Sequence, residues 1–345
     1  MNYKDNESHT NVDPGFNLVS GKGYLYANSE DVTLTFTGTP YDGEGEVILA
    51  YSEDNADPNM WGWNLVGNPF AEDAYIVGKP FYTLNEERTG LIAEPTTGVI
   101  HAMEGVFVYA EENGETLTFS TEEPQGNGDA LTLNVSKGRS VIDRAIVNFG
   151  HPSTLRQAQG SGTGQTLPKF QLDPNSTKVY IPQDGKDYAI VSVGNMGEVP
   201  VNFKANENGT YTLTVSPTLN SQLSTLNYLH LIDNMTGADV DLLATQTYTF
   251  SAKTTDYESR FKLVFCASTA DEGICEPSFA FFSNGNWIIS NEGEATLQVI
   301  DITGRILSSE TINGSVSKAI NAVPGVYMIR LINGENVKVQ KIVVR

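Results

Sequence analysis

The chain closes on GVYMIRLINGENVKVQKIVVR, residues 325–345. Apolar and polar residues alternate on both sides of an Asn333-Gly334 pair. A period of two describes a strand with one face buried. Asn-Gly between two such runs is a strong hairpin signal. Tyr327, Ile329 and Leu331 fall on one face of the first strand, with Val326, Met328 and Arg330 on the other. Val337, Val339 and Lys341 share a face of the second, and Lys338, Gln340 and Ile342 the opposite one. A basic hairpin therefore ends a chain that is otherwise strongly acidic.

The same grammar runs upstream. VTLTFTG, VFVYA, TLTFST, KVYIP, YAIVSV, YTLTVSP, YTFSA and FKLVF are short, rich in Val, Thr, Tyr and Phe, and bounded by Gly, Asn, Asp or Pro. Many short strands with regular turn signals predict an all-β protein of packed sandwiches. No long stretch has helical periodicity. The expected organisation is two jelly-roll-like antiparallel β-sandwich modules followed by a small immunoglobulin-like sandwich. The first module spans 1–125, the second 126–268, a linker 269–276 and the last domain 277–345. The polar stretch TEEPQGNGD (121–129) marks the first break. HPSTLRQAQGSGTGQTLP (151–168) reads as a flexible excursion within the second module. In the first module, YANSEDVTLTFTG from Tyr26 aligns without gaps with YAEENGETLTFST from Tyr109. Six of the thirteen positions are identical, so each copy reads as a repeated hairpin.

Charge narrows the partners. Lys and Arg total 21 against 42 Asp and Glu, a net charge of −21 over 345 residues. Such a surface repels phosphate backbones and argues against nucleic acid and anionic membranes. No apolar run is long enough to span a bilayer. The polar start MNYKDNESHTNVDPGF lacks the apolar core of a secretory signal. Cys266 and Cys275 flank a loop-like stretch and are candidates for a disulfide in an oxidising compartment.

The last segment resembles a known family. ATLQVIDITGRIL from Ala295, followed by INGSVSKAINAVPGVYMIRLINGENVKVQKIVVR, resembles the C-terminal sorting domain of type IX secretion cargo in Bacteroidetes. The matching positions are Asp301, Gly304, Arg305, Gly314, Pro324, Gly325, Val326, Tyr327, Lys338 and Lys341. The resemblance covers about the last 70 residues, in which seven strands are expected (an immunoglobulin-like count). It implies recognition by the type IX secretion machinery, passage through the periplasm, and an extracellular or outer-membrane surface location. Such cargo needs an N-terminal export signal, so the resemblance also implies that this chain is the C-terminal part of a longer precursor or has had its signal removed. GWNLVGNPF (62–70) more weakly resembles the surface modules that precede such domains. No enzymatic activity comes with that resemblance.

Independent of it, the residues supply few chemical constellations. His9, His101, His151 and His230 form no metal pair of the HExxH type, and no GxSxG elbow is present. Asp54 and Asp57, within EDNADPN, are candidates for calcium on a loop. No other cofactor is expected. Trp61 and Trp63 would face opposite sides of a strand, as core residues or as a sugar-stacking platform. The expected function is a secreted or surface protein that is not an enzyme, with adhesion or stalk modules and a host or glycan ligand. The alternative is the carbohydrate-binding module of a larger secreted enzyme.

Overall fold

A computed structural model describes residues 18–26, 29–30, 32–33, 35, 38–54, 57–124, 129–149, 166–193, 196–218, 225–268, 279–283, 286–289, 291, 293–319, 323–334 and 336–344. Strands dominate these residues, and the ladders are antiparallel apart from one parallel pair. The expected Cys266–Cys275 pairing and the 269–276 linker lie outside the described residues, as does most of the Gly-rich excursion.

The first unit holds strands β1 (Glu46–Ile48), β2 (Trp63–Gly67), β3 (Tyr75–Ile76), β4 (Phe81–Leu84), β5 (Leu91–Glu94), β6 (Gly105–Tyr109) and β7 (Thr116–Ser120). Two sheets form, in the orders β1-β7-β3 and β2-β6-β4-β5. Val66, Phe81, Val106, Val108, Leu117 and Phe119 fill the space between them. Leu117 and Phe119 are buried at alternate positions of β7, as the Thr-Leu-Thr-Phe pattern predicts.

The hairpin expected there does not form. β6 pairs with β2 and β4, whereas β7 pairs with β1 and β3 in the other sheet. The acidic turn between them carries the chain from one sheet to the other. Alternation sets which face is buried, but it does not choose the neighbouring strand. The first copy of the repeat, from Tyr26, is only partly described, and its described residues form no strand.

The second unit holds β8 (Ala130–Lys137), β9 (Ser140–Phe149), β10 (Leu167–Pro168), β11 (Lys178–Gln183), β12 (Lys186–Val193), β13 (Met196–Lys204), β14 (Gly209–Thr218), β15 (Thr225–Asp233), β16 (Ala238–Asp241), β17 (Thr247–Ala252) and β18 (Phe261–Ser268). They join in one long sheet, ordered β16-β15-β18-β13-β11-β12-β9-β8-β14-β17, with β10 beside β12. The sheet closes over a single core. Phe203 on β13 meets Tyr211 on β14 and Phe250 on β17, with ring centroids 5.2 and 5.1 Å away. Arg260 is buried beside these rings and forms an ion pair with Asp233 at 2.9 Å.

The two units share a third core. The face of β2-β6-β4-β5 that points away from the first core carries Trp63, Leu65, Tyr82, Ala93 and Phe107. These residues pack on Ile146, Leu167, Phe170, Ala189 and Ile190 of the second unit. In β6, Val106 and Val108 point into the first core and Phe107 into the shared one. A strand covered on both faces reads as a continuous apolar run, which is what GVFVY is.

The last unit holds β19 (Ala280–Ser283), β20 (Asn286–Ile289), β21 (Glu294–Asp301), β22 (Ile306–Asn313), β23 (Val316–Ala319), β24 (Gly325–Asn333) and β25 (Asn336–Val344). These are the seven strands expected from the sequence. They form a three-stranded sheet β19-β20-β23 and a four-stranded sheet β22-β21-β24-β25. The core between the sheets contains Trp287, Leu297, Val299, Tyr327, Ile329 and Leu331. Asn333 still belongs to β24 and pairs with Asn336, so the turn begins at Gly334, one residue later than the Asn-Gly reading.

Candidate functional site

The turn after β21 is built by one carboxylate. Asp301 Oδ1 accepts hydrogen bonds from the Thr303 N–H (2.9 Å), the Thr303 hydroxyl (2.6 Å) and the Arg305 N–H (3.0 Å). Its Oδ2 accepts from Arg305 Nε at 3.0 Å. Gly304 sits at φ +85°, a left-handed conformation that glycine adopts without strain. The Thr303 hydroxyl, followed by the backbone and guanidinium donors of Arg305, holds the Asp301 carboxyl below its ordinary range. Asp, Gly and Arg at this spacing are thus one hydrogen-bonded unit.

The other candidate positions extend from it. Gly314, at φ +75°, lies where the chain leaves β22 for β23 in the opposite sheet. Pro324 and Gly325 lead into β24, and the Tyr327 hydroxyl donates back to the Val323 carbonyl at 2.8 Å. The Tyr327 ring packs edge-on against buried Trp287, with centroids 5.4 Å apart. Val326 is half-buried beside it.

Register gathers these residues. Asp301 pairs with Tyr327, Tyr327 with Ile342, and Gly325 with Val344. The Asp301–Arg305 turn, the Pro324–Tyr327 entry and the last described residues of the chain therefore share one end of the four-stranded sheet. Ile302 and Val323 are exposed at this end, at 76% and 70%. Strand β25 is an edge of its sheet. Lys338 and Lys341 are exposed on it, opposite Leu331 and Met328 respectively. Exposed lysines on an edge discourage pairing with other chains and leave a charged strand accessible.

Residues 283–345 match a known protein family. It is described as the secretion system C-terminal sorting domain. The match supports a cargo of type IX secretion, one that engages that machinery and is exported to the cell surface or beyond. It covers only this last part of the chain. No curated protein and no solved structure matches the chain. Among the described residues, no helix is long and apolar enough to cross a membrane.

A second site lies where the first two units meet. A cleft of about 860 Å³ is lined by Tyr51, Met60, Trp61 and Tyr109 from one side and by Lys169, Lys186 and Tyr188 from the other. Trp61 and Trp63 both line it. They do not alternate across a strand, because β2 begins at Trp63 and Gly62 turns the chain at φ +76°. A Cβ at Gly62 would stand 2.6 Å from the Ala110 carbonyl oxygen, so only glycine fits. Trp63 is buried and stacks on Phe170 with centroids 4.3 Å apart, whereas Trp61 is half-buried. Desolvation, with Tyr51, Glu111 and Tyr188 nearby, raises the pKa of the Tyr109 phenol.

The remaining candidates have local partners. Asp57 accepts from the Asn59 N–H at 3.0 Å and caps the 3-10 turn Pro58–Met60. Asp54 accepts from the Ser52 hydroxyl at 2.9 Å. Among the described residues, no group of three or more His, Cys, Asp or Glu side chains is arranged to hold a metal. His101 pairs with Asp73, and His230 pairs with Asp239 while stacking on Tyr228. The shared core and its cleft were not foreseen. Their signal was the unbroken apolar run of GVFVY, beside WNLVG, in which Asn64 is the one polar residue.

Proposed function

We propose that this chain is a secreted or surface-attached protein without enzymatic activity, whose first two units form an adhesive or stalk-like passenger. One observation carries the reading. Among the described residues, the sorting domain's two sheets and its core draw only on residues after 278. An address built this way can be read, and then removed, without disturbing the passenger's ladders. Cleavage is placed near residues 268–277, a polar stretch that joins the two. The end of the sandwich carrying the Asp301 turn, Ile302, Val323 and the chain terminus is the surface the machinery reads.

The test is export in a bacterium with an active type IX system. A signal peptide and a reporter are fused to residues 268–345, with a parallel version lacking 337–345. Surface display of the first, and periplasmic retention of the second, is expected. Retention of both would remove the export role. Sequencing the ends of the displayed passenger locates the cut.

The cleft supports a second reading, carbohydrate binding. Tyr51, Trp61, Tyr109 and Tyr188 bring aromatic rings to the lining, together with Asp57, Asn59 and Glu111. Polar surface outweighs apolar surface in the lining, as a hydroxyl-rich ligand requires. Titration with oligosaccharides should give heat that Trp61→Ala abolishes. Heat that survives Trp61→Ala places the sugar elsewhere.

A further inference from the structure

Asp143 on β9 and Lys169, just past β10, meet in the dry region between the first two units. Their side chains are 3% and 4% exposed. Lys169 Nζ lies 2.6 Å from each carboxylate oxygen of Asp143. Both partners are held from several sides. Asp143 Oδ2 also accepts the Val179 N–H at 2.7 Å. The Lys169 N–H donates to the Asp187 carbonyl at 2.8 Å. The Tyr82 hydroxyl donates to the Pro168 carbonyl and accepts from the Phe170 N–H, clamping the backbone on either side of Lys169.

Burial of this kind works against two charges, since desolvation costs several kcal/mol per ion. It pushes the Asp143 carboxyl up, only partly offset by Lys169 and by the backbone N–H groups of Val179 and Arg144. It pushes the Lys169 amine down, only partly offset by Asp143. Lys178 and Asp187 are the other charged groups that act on the amine, with opposite signs. Both shifts favour a free amine facing a carboxylic acid. Fixed contact between two such groups replaces a bimolecular encounter with an intramolecular one.

We propose that Lys169 and Asp143 join in an intramolecular amide cross-link. The Nζ lone pair attacks Asp143 Cγ and forms the C–N bond. The Val179 N–H already points at Oδ2, where negative charge develops during the attack. The C–O bond to the other oxygen breaks. That oxygen leaves as water, taking the carboxylic proton and one amine proton. The product is a secondary amide with one N–H, and nothing is oxidised or reduced. Lys169 lines the cleft, which gives the water a way out. The bond ties β9 to the chain beyond the 150–165 segment. The second unit of an exported passenger would thereby be locked where it packs on the first, without using cysteine.

The experiment is the intact mass of the purified full chain under denaturing conditions, followed by peptide mapping. The expected mass is one water below that of the sequence, with one peptide pair joined through Lys169 and Asp143. Lys169→Arg keeps the positive charge and should restore the full mass. Wild-type protein at full mass overturns the proposal. So does a water loss that persists in Lys169→Arg, or one that maps to a single cyclised Asp peptide.

Discussion

Gln340 on the terminal strand holds Ala280 on the first strand of the sorting domain by two hydrogen bonds. Its Oε1 accepts the Ala280 N–H at 2.9 Å, and its Nε2 donates to the Ala280 carbonyl at 2.6 Å. One side-chain amide thus does the work of a ladder rung between two sheets. The chain's last strand is bonded to both halves of the sandwich, through β24 and through Ala280. Gln340→Ala removes both hydrogen bonds and should cost about 1–3 kcal/mol. Hydrogen exchange reads this directly, as faster exchange in a peptide covering 279–283. Unchanged protection there would show that the clasp adds nothing.

The Asp301 turn offers a test of address against mere folding. Gly304→Val forces a branched side chain into a left-handed position and should destabilise the turn by about 1–2 kcal/mol. Asp301→Ala removes the acceptor of four hydrogen bonds while leaving the core intact. Both should lower surface display of the reporter fusion. Ile302→Asp and Val323→Asp alter only exposed positions. Loss of display from this pair, with thermal stability kept, marks the surface that is read.

Trp61 and Trp63 should separate cleanly on substitution. Phe170→Ala or Trp63→Ala opens the core shared by the two units, at about 3–5 kcal/mol. Trp61→Ala, at the half-buried cleft wall, should change stability far less. Denaturant midpoints of the full chain measure both. Equal losses would mean that Trp61 is a core residue too.

The pair Arg260–Asp233 predicts an acid-sensitive component of stability. Burial alone would raise the Asp233 carboxyl, but hydrogen bonds from Arg260, the Met235 N–H and the Tyr248 hydroxyl outweigh it and hold the pKa below its ordinary value. A depressed carboxylate stabilises the fold above its unfolded pKa of about 3.9, and that contribution fades as pH falls through the lower folded value. Wild-type stability should therefore fall more steeply than that of Asp233→Asn below about pH 4. Arg260→Met leaves a buried carboxylate without its cation, and should cost about 3–5 kcal/mol at neutral pH. Parallel pH slopes for wild type and Asp233→Asn would remove Asp233 from the account.

The outcome for individual residues shows where sequence reading stops. Tyr327, Ile329 and Leu331 are buried as their alternation predicts, because a strand's period is a property of the backbone itself. The Asp301–Arg305 turn is local in the same sense: its bonds lie within five residues. The partners of β6 and β7 were not legible, since pairing is decided by residues far along the chain. Trp61 and Trp63 would face opposite sides only if both lay in one strand, and a single left-handed glycine turns the chain between them.

By itself, the sequence determined the all-β class, the seven strands of the last domain and the sorting motif. These are written in local periods and in side chains that bond to their own backbone. The tertiary structure decided the rest. It brought Asp301, Tyr327 and the chain terminus to one end of a sheet, buried both faces of β2 and β6, and set Lys169 against Asp143. Each of these depends on which distant apolar faces close on one another. That choice is made by the excluded water of the whole molecule, and no short stretch records it.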